Sequence, residues 1–150
     1  MKIMLDLNVL LDYFQKRQPY YHYSSIVLSE VLKGKLDGAV PAHGLTTVYY
    51  IVAKHNNKQR ANEVTDWLLT HFEVATADKS RFVRARSLSM DDFEDAVVAS
   101  MAEASQCIFI VTRNISDFEN PPIPALTPEE FVLRYVSFEK NLPEDSQSSN

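Results

Sequence analysis

Apolar positions change period repeatedly along the chain. Ile3-Met4-Leu5 is an unbroken apolar run that closes on Asp6, as expected of a strand covered on both faces. Leu10, Leu11 and Phe14 then recur at helical spacing, with Asn8 placed to cap them. Pro19 opens a second helical segment through Ile26, Val27, Val31 and Leu32, which Gly34 closes. Ala39-Val40-Pro41 reads as a short strand with proline at its end or on an edge. His43 to Thr47 leads into a helix through Val48, Tyr49, Ile51 and Val52. Arg60 to Phe72 makes another, with Ala61, Val64, Trp67 and Leu68 on one face. Glu73-Val74-Ala75-Thr76 is a third strand, and Asp78 caps a helix carrying Arg81, Arg84 and Arg86.

The segment from Ser87 to Phe118 has the clearest organisation. Ser89 followed by Asp92 gives a capping-box-like start. Phe93, Ala96, Val97, Ser100, Met101 and Ala104 then place apolar or small residues on one helical face. Three-residue spacing puts Asp92 and Asp95 about 60° apart around that helix. Cys107 to Val111 reads as a buried strand that delivers Thr112, Arg113, Asn114 and Asp117 to a polar turn. Pro121 to Pro124 is an extended link, and Thr127-Pro128-Glu129-Glu130 starts a last helix reaching about Val136. Strands alternating with helices predict an α/β domain over residues 1–136, its sheet mostly parallel and flanked by helices. Residues 137–150 are polar and are expected to form a disordered tail.

Composition narrows the function classes. The 150 residues carry 15 Lys and Arg against 20 Asp and Glu, a net charge of −5. That balance opposes tight non-specific binding to a polyanion, while leaving room for local basic patches around Lys54–Arg60 and Lys79–Arg86. Cys107 is the single cysteine, so no disulfide forms within one chain, and a cytoplasmic location fits. No signal peptide is expected, and no apolar run approaches the length of a membrane span. The histidines show no zinc spacing, and three glycines leave little scope for a phosphate-cradling loop.

The acids supply the candidate chemistry. Asp92 and Asp95 have an ordinary reading, because a helix dipole favours acids in its first turn. Asp6 has one too, as an Asx turn capping the next helix. In a parallel sheet, however, binding sites lie at the carboxyl ends of strands. If the strands ending at Asp6 and Val111 are neighbours, Asp6, Asp92, Asp95 and Asp117 share one cleft. Clustered carboxylates need a counter-charge, and a hard divalent cation takes such oxygen ligands. A cation held this way serves phosphoryl transfer by polarising phosphate and activating water.

Asp6-Leu-Asn8-Val-Leu-Leu-Asp12, Asp92-Phe-Glu-Asp95-Ala-Val-Val-Ala and Thr112-Arg-Asn-Ile-Ser-Asp117-Phe occur in that order. Together they resemble the opening, mid-chain and closing motifs of PIN-domain ribonucleases, particularly VapC-type toxins. The resemblance spans roughly Met1 to Val136. It implies a three-layer PIN-like fold, a Mg2+- or Mn2+-dependent endoribonuclease acting on RNA, a homodimer and an antitoxin partner. It carries Asp6 and Asp95 over as acids of the site, with Asp92 and Asp117 as further catalytic and metal-binding carboxylates. Asn8, Thr112, Arg113 and Asn114 are the expected substrate contacts, Arg113 as a phosphate clamp. Two positions depart from the pattern: Thr47 and Asn114 stand where the family usually has acids.

Two functional readings follow. One is the metal-dependent ribonuclease. The other is a catalytically silent PIN-like module that binds RNA or a partner protein. A receiver-type phosphoacceptor domain fits poorly, because Val40-Pro41 and Thr112-Arg113 lack its aspartate and lysine. A haloacid-dehalogenase-type phosphatase would want a second acid at position 8, which is Asn8.

Overall fold

The computed structural model describes residues 1–136; the tail expected at 137–150 lies outside the described residues. Five parallel strands form one sheet in the order β3-β2-β1-β4-β5. They are β1 (Lys2–Leu5), β2 (Asp37–Pro41), β3 (Glu73–Ala75), β4 (Phe109–Val111) and β5 (Ala125–Leu126). The chain grows from β1 to β2 and β3 on one side, then crosses to β4 and β5 on the other. The strand order therefore reverses between β1 and β4, where open parallel sheets place their ligand crevice.

Side-chain alternation divides the core. Ile3, Leu5, Val40 and Val111 face a layer containing α1 (Leu7–Phe14), α2 (Tyr21–Leu32), α3 (Ala42–His55), α4 (Lys58–His71) and α7 (Pro128–Phe131). Met4, Ala39 and Ile110 face α6 (Phe93–Ala104) and α5 (Lys79–Ser87). The result is the expected α/β/α three-layer arrangement. On the second face, the small residues Ala96, Ala99 and Ala102 let α6 lie against the sheet, and all three are buried.

Several boundaries differ from the sequence expectation. Asp6, not Asn8, caps α1: its carboxylate accepts the Leu7 N–H at 2.8 Å, and Asn8 lies inside the helix. Asp92, not Ser89, caps α6, accepting the Asp95 N–H at 3.0 Å. Asp92 therefore stands at the helix mouth rather than on its flank, and the 60° spacing does not apply. The link before α7 contains β5, a two-residue strand too short to leave a periodic signature. After α7, Val132–Val136 widens into a π-helical turn.

Gly38 is required by a close approach. A Cβ there would stand 2.5 Å from Cε1 and 2.6 Å from Cδ1 of Phe72. Phe72 is itself buried at the end of α4, so its ring has little room to withdraw. Gly38→Ala is expected to destabilise the fold by about 1–3 kcal/mol through overpacking. Phe72→Leu in the same chain should restore part of the loss, as measured by urea unfolding of the single and double variants.

Candidate active site

The carboxyl ends of β1 and β4 are tied together before any functional group is considered. The Asp6 N–H donates to the Val111 carbonyl at 3.0 Å, continuing the ladder one residue past β1. The Thr112 hydroxyl donates to Asp6 Oδ2 at 2.8 Å and accepts the Asn114 N–H at 3.2 Å. Asn8 closes the arrangement from α1. Its amide donates to Asp6 Oδ2 at 3.3 Å, and its carbonyl accepts the Arg113 N–H at 3.3 Å. The Asp6 carboxylate is thereby fixed in one orientation. Burial still raises its pKa above the usual value, opposed by the Thr112 and Leu7 hydrogen bonds.

Asp95 lies in the first turn of α6, beside the cap residue Asp92. Its pKa is pushed up to about 7, first by burial and then by the negative charges of Asp6, Asp92, Asp117 and Glu94. The fields at Asp95 therefore gather acids from β1, the α6 mouth and the turn after β4. Asp117 belongs to a short 3-10 turn, Ile115–Asp117, and is exposed.

Among the described residues, no three His, Cys, Asp or Glu side chains form a ready metal cage. The donor chemistry nevertheless fits a hard cation bound by one or two carboxylates and completed by water. Burial and the negative charges of the neighbouring acids together raise the pKa of Asp95 at this edge.

Thr112, an expected site residue, and Thr47, a departure from the family pattern, make hydrogen bonds that sequence spacing does not disclose. Thr112, an expected substrate contact, is fully buried, and its hydroxyl bonds to Asp6. Thr47 turns its hydroxyl back to the His43 carbonyl at 3.3 Å, within its own helix. Asn114 is exposed at the turn, its backbone N–H held by Thr112.

Arg113 leans away from the acids of the cleft. Its Nε lies 3.3 Å from Oδ2 of buried Asp12, misaligned for a hydrogen bond, and its guanidinium sits 4.1 Å from the Tyr20 ring centroid. Burial raises the pKa of Asp12, against the opposing charges of Arg113 and Arg17. Asp12 closes the first motif, yet its ion pair with Arg113 depends on a contact 101 positions away along the chain and has no local signal.

Sequence reasoning also missed Glu94 and His43. They stand 3.5 Å apart, and both act electrostatically on Asp6. The adjacent acids at 94 and 95 were visible in the motif, but the orientation of Glu94 towards α3 was not. Two bases of the second patch are engaged within the fold: Arg81 donates to the Ser100 carbonyl, and Arg84 makes a two-pronged contact with Glu103, while Lys79 and Arg86 are exposed.

The family model described as PIN domain matches residues 2–116. The chain belongs to the PIN-domain family. A curated relative, Ribonuclease VapC1 of Aquifex aeolicus (strain VF5), is 28% identical over 139 residues, covering 89% of this chain and 95% of the relative. The structure of VapBC2 from Rickettsia felis, bound to a DNA fragment from its promoter, contains a similar fold. Its TM-score is 0.61 at 22% identity, with 85% of this chain and 98% of that chain covered. A toxin-antitoxin complex from Klebsiella pneumoniae gives a TM-score of 0.64 at 21% identity, covering 84% and 97%. These two structural likenesses bear on the fold alone.

The position of Asp95 has a consequence for stability. Its folded pKa of about 7 lies above the ordinary 3.8, so the folded chain holds this proton more tightly than the unfolded chain does. Stability is therefore lost as pH rises from about 4 through about 7. In chelator, Asp95→Asn should flatten that decline and leave the variant more stable at pH 8 by on the order of 2 kcal/mol, allowing for solvent screening. Thermal unfolding at pH 5 and pH 8 measures the difference; a wild-type curve parallel to that of Asp95→Asn would contradict it.

Proposed function

We propose that this chain is a divalent-metal-dependent endoribonuclease of the PIN type and the toxin of a toxin–antitoxin pair. The observation that carries the reading is the Asp6 carboxylate held by Thr112, Asn8 and the Leu7 N–H where the strand order reverses between β1 and β4, with Asp92 and Asp95 at the mouth of α6. Membership of the PIN-domain family and similarity to a ribonuclease VapC support it. The antitoxin partner is inferred from the toxin–antitoxin assemblies in which similar folds occur.

In this reading Asp6 and Asp95 hold Mg2+ or Mn2+, with Asp92 and Asp117 supplying further ligands directly or through water. The cation supplies Lewis-acid activation of phosphate and water. Thr112, Asn8 and the Leu7 N–H fix the Asp6 carboxylate, so little orientational freedom is lost on loading. Asn114, exposed at the turn, is placed to hydrogen-bond substrate or a water. Arg113 contacts a phosphate only by leaving Tyr20 and Asp12, so the clamp role requires a rearrangement.

We further read the protein as a cytoplasmic homodimer. Leu32 and Tyr50 are exposed apolar residues from α2 and α3 available for the contact. No described helix is long and apolar enough to cross a membrane.

Thr47 and Asn114 favour a second reading: a PIN-like module that binds RNA or protein without cutting. Thr47 is turned back into its helix, leaving α3 without the acid usual at that position. Melting with and without magnesium, alongside cleavage of a mixed RNA pool, separates the two. For the nuclease, magnesium at a hundredfold excess over Kd should stabilise the wild type by about 2.7 kcal/mol. Asp6→Asn and Asp95→Asn should lose most of that gain together with cleavage. A wild type that responds to magnesium and cuts nothing selects the silent module. Light scattering at micromolar concentration should report a dimer, and a monomer alone would reject that part of the reading.

A further inference from the structure

A cleft of about 430 Å³ adjoins the acids, lined on its apolar side by Phe82, Phe93, Val97 and Met101 and at its rim by His43 and Glu94. Its size falls within the roughly 300–1,000 Å³ of ligand sites. Phe82 and Phe93 stand with ring centroids 6.3 Å apart and planes inclined by 32°, and both remain substantially exposed, at 43% and 47%. Phe82 rides on α5, which is pinned to α6 by reciprocal bonds: Arg81 Nη1 donates to the Ser100 carbonyl at 3.3 Å, and the Ser100 hydroxyl donates to the Arg81 carbonyl at 2.9 Å. Arg84 adds its contact to Glu103 at 3.1 and 3.3 Å. Phe93 is the first residue of α6, immediately after the cap Asp92 and two residues before Asp95.

Asp6, Asp92, Asp95 and Asp117 do not line the cleft; it reaches the acidic edge through Glu94, the residue before Asp95. Glu94 and His43 form its rim, and the same two side chains contribute to the field at Asp6. We propose that this cleft is a nucleobase subsite, in which an unpaired base of the RNA strand stacks on Phe93 and Phe82 beside the phosphate at the carboxylates. The inference rests on the ribonuclease reading and specifies its substrate as a strand with at least one unstacked nucleotide at the cut. Charge favours this occupant. With a net charge of −5, and with Arg81, Arg84 and Arg113 already engaged within the fold, base contacts add affinity for a single strand that these groups do not supply through phosphate. Aromatic faces supply such contacts regardless of base identity, whereas a paired base keeps its faces inside the duplex. His43 and Glu94 offer hydrogen-bonding groups at the rim for the base edge.

The test uses the full chain with calcium, a hard cation with the same preference for oxygen ligands as magnesium. Single-stranded RNA carrying 2-aminopurine at successive positions reports stacking through its fluorescence. One position should respond, and Phe93→Ala should abolish that response and weaken binding about tenfold or more. Phe93→Tyr should bind like wild type, and Phe93→Leu like Phe93→Ala, because leucine keeps the apolar bulk and lacks the ring face. Phe82→Ala gives a second, smaller loss, and circular dichroism checks that these partly exposed substitutions leave the fold intact. An abasic nucleotide at the responding position should weaken wild type and leave Phe93→Ala unchanged.

Full affinity in Phe93→Leu, equal binding of abasic RNA, or no responding position would overturn the subsite. Base-dependent binding with no cleavage in magnesium removes the nuclease reading and leaves the subsite standing. Cleavage by Phe93→Ala with unchanged KM does the reverse. If Phe93→Ala instead breaks binding of a purified antitoxin encoded beside this gene while RNA handling is unaltered, the cleft is a protein-docking surface and the subsite is overturned.

Discussion

Negative charge gathered where the strand ends meet is the constraint on which the arrangement depends. Two carboxylates about 4 Å apart repel by roughly 4 kcal/mol at an effective dielectric near 20. The fold offsets this cost by giving acids local partners. Asp6 accepts the first N–H of α1, and Asp92 accepts an N–H in the first turn of α6. Each carboxylate thus faces the positive end of a helix dipole. Capping and the proposed chemistry are therefore compatible uses of the same side chains: the cap fixes an acid where a ligand is wanted. Asp95 is left with burial and the negative charges of Asp6, Asp92, Asp117 and Glu94, which raise its pKa.

Connectivity explains why these groups meet. A parallel sheet whose order reverses between β1 and β4 leaves a crevice between two strand ends that are distant in sequence. Thr112 and Asn8 bridge that crevice by bonding to the same oxygen of Asp6. The bridge relates the departures from the family pattern to geometry. Asn114 follows the strand that carries the bridging threonine, and Thr47 lies one helical turn beyond His43, whose ring meets Glu94.

The second helical layer has a different function. Reciprocal Arg81–Ser100 bonds and the Arg84–Glu103 pair engage two of the basic residues of the α5 patch within the fold. They hold α5 and α6 in register, with Phe82 and Phe93 side by side at the edge of the cleft.

Hydrophobic period alone determined the succession of strands and helices, because buried runs and 3.6-residue faces are local properties of the chain. It also determined the α/β class with a mostly parallel sheet, and the order of the acidic motifs carried the family and its three-layer fold. Cap positions were less legible: Ser89, Asp92, Asn8 and Asp6 are all capable acceptors, and only backbone direction chooses among them. The two-residue β5 had no period to show. Tertiary structure alone decided that Thr112 is buried against Asp6, that Arg113 pairs with Asp12 over Tyr20, and that Glu94 turns to His43. Each of those contacts joins residues whose separation is set by the crossover of the sheet, and no local pattern of polar and apolar positions records where a crossover brings the chain back.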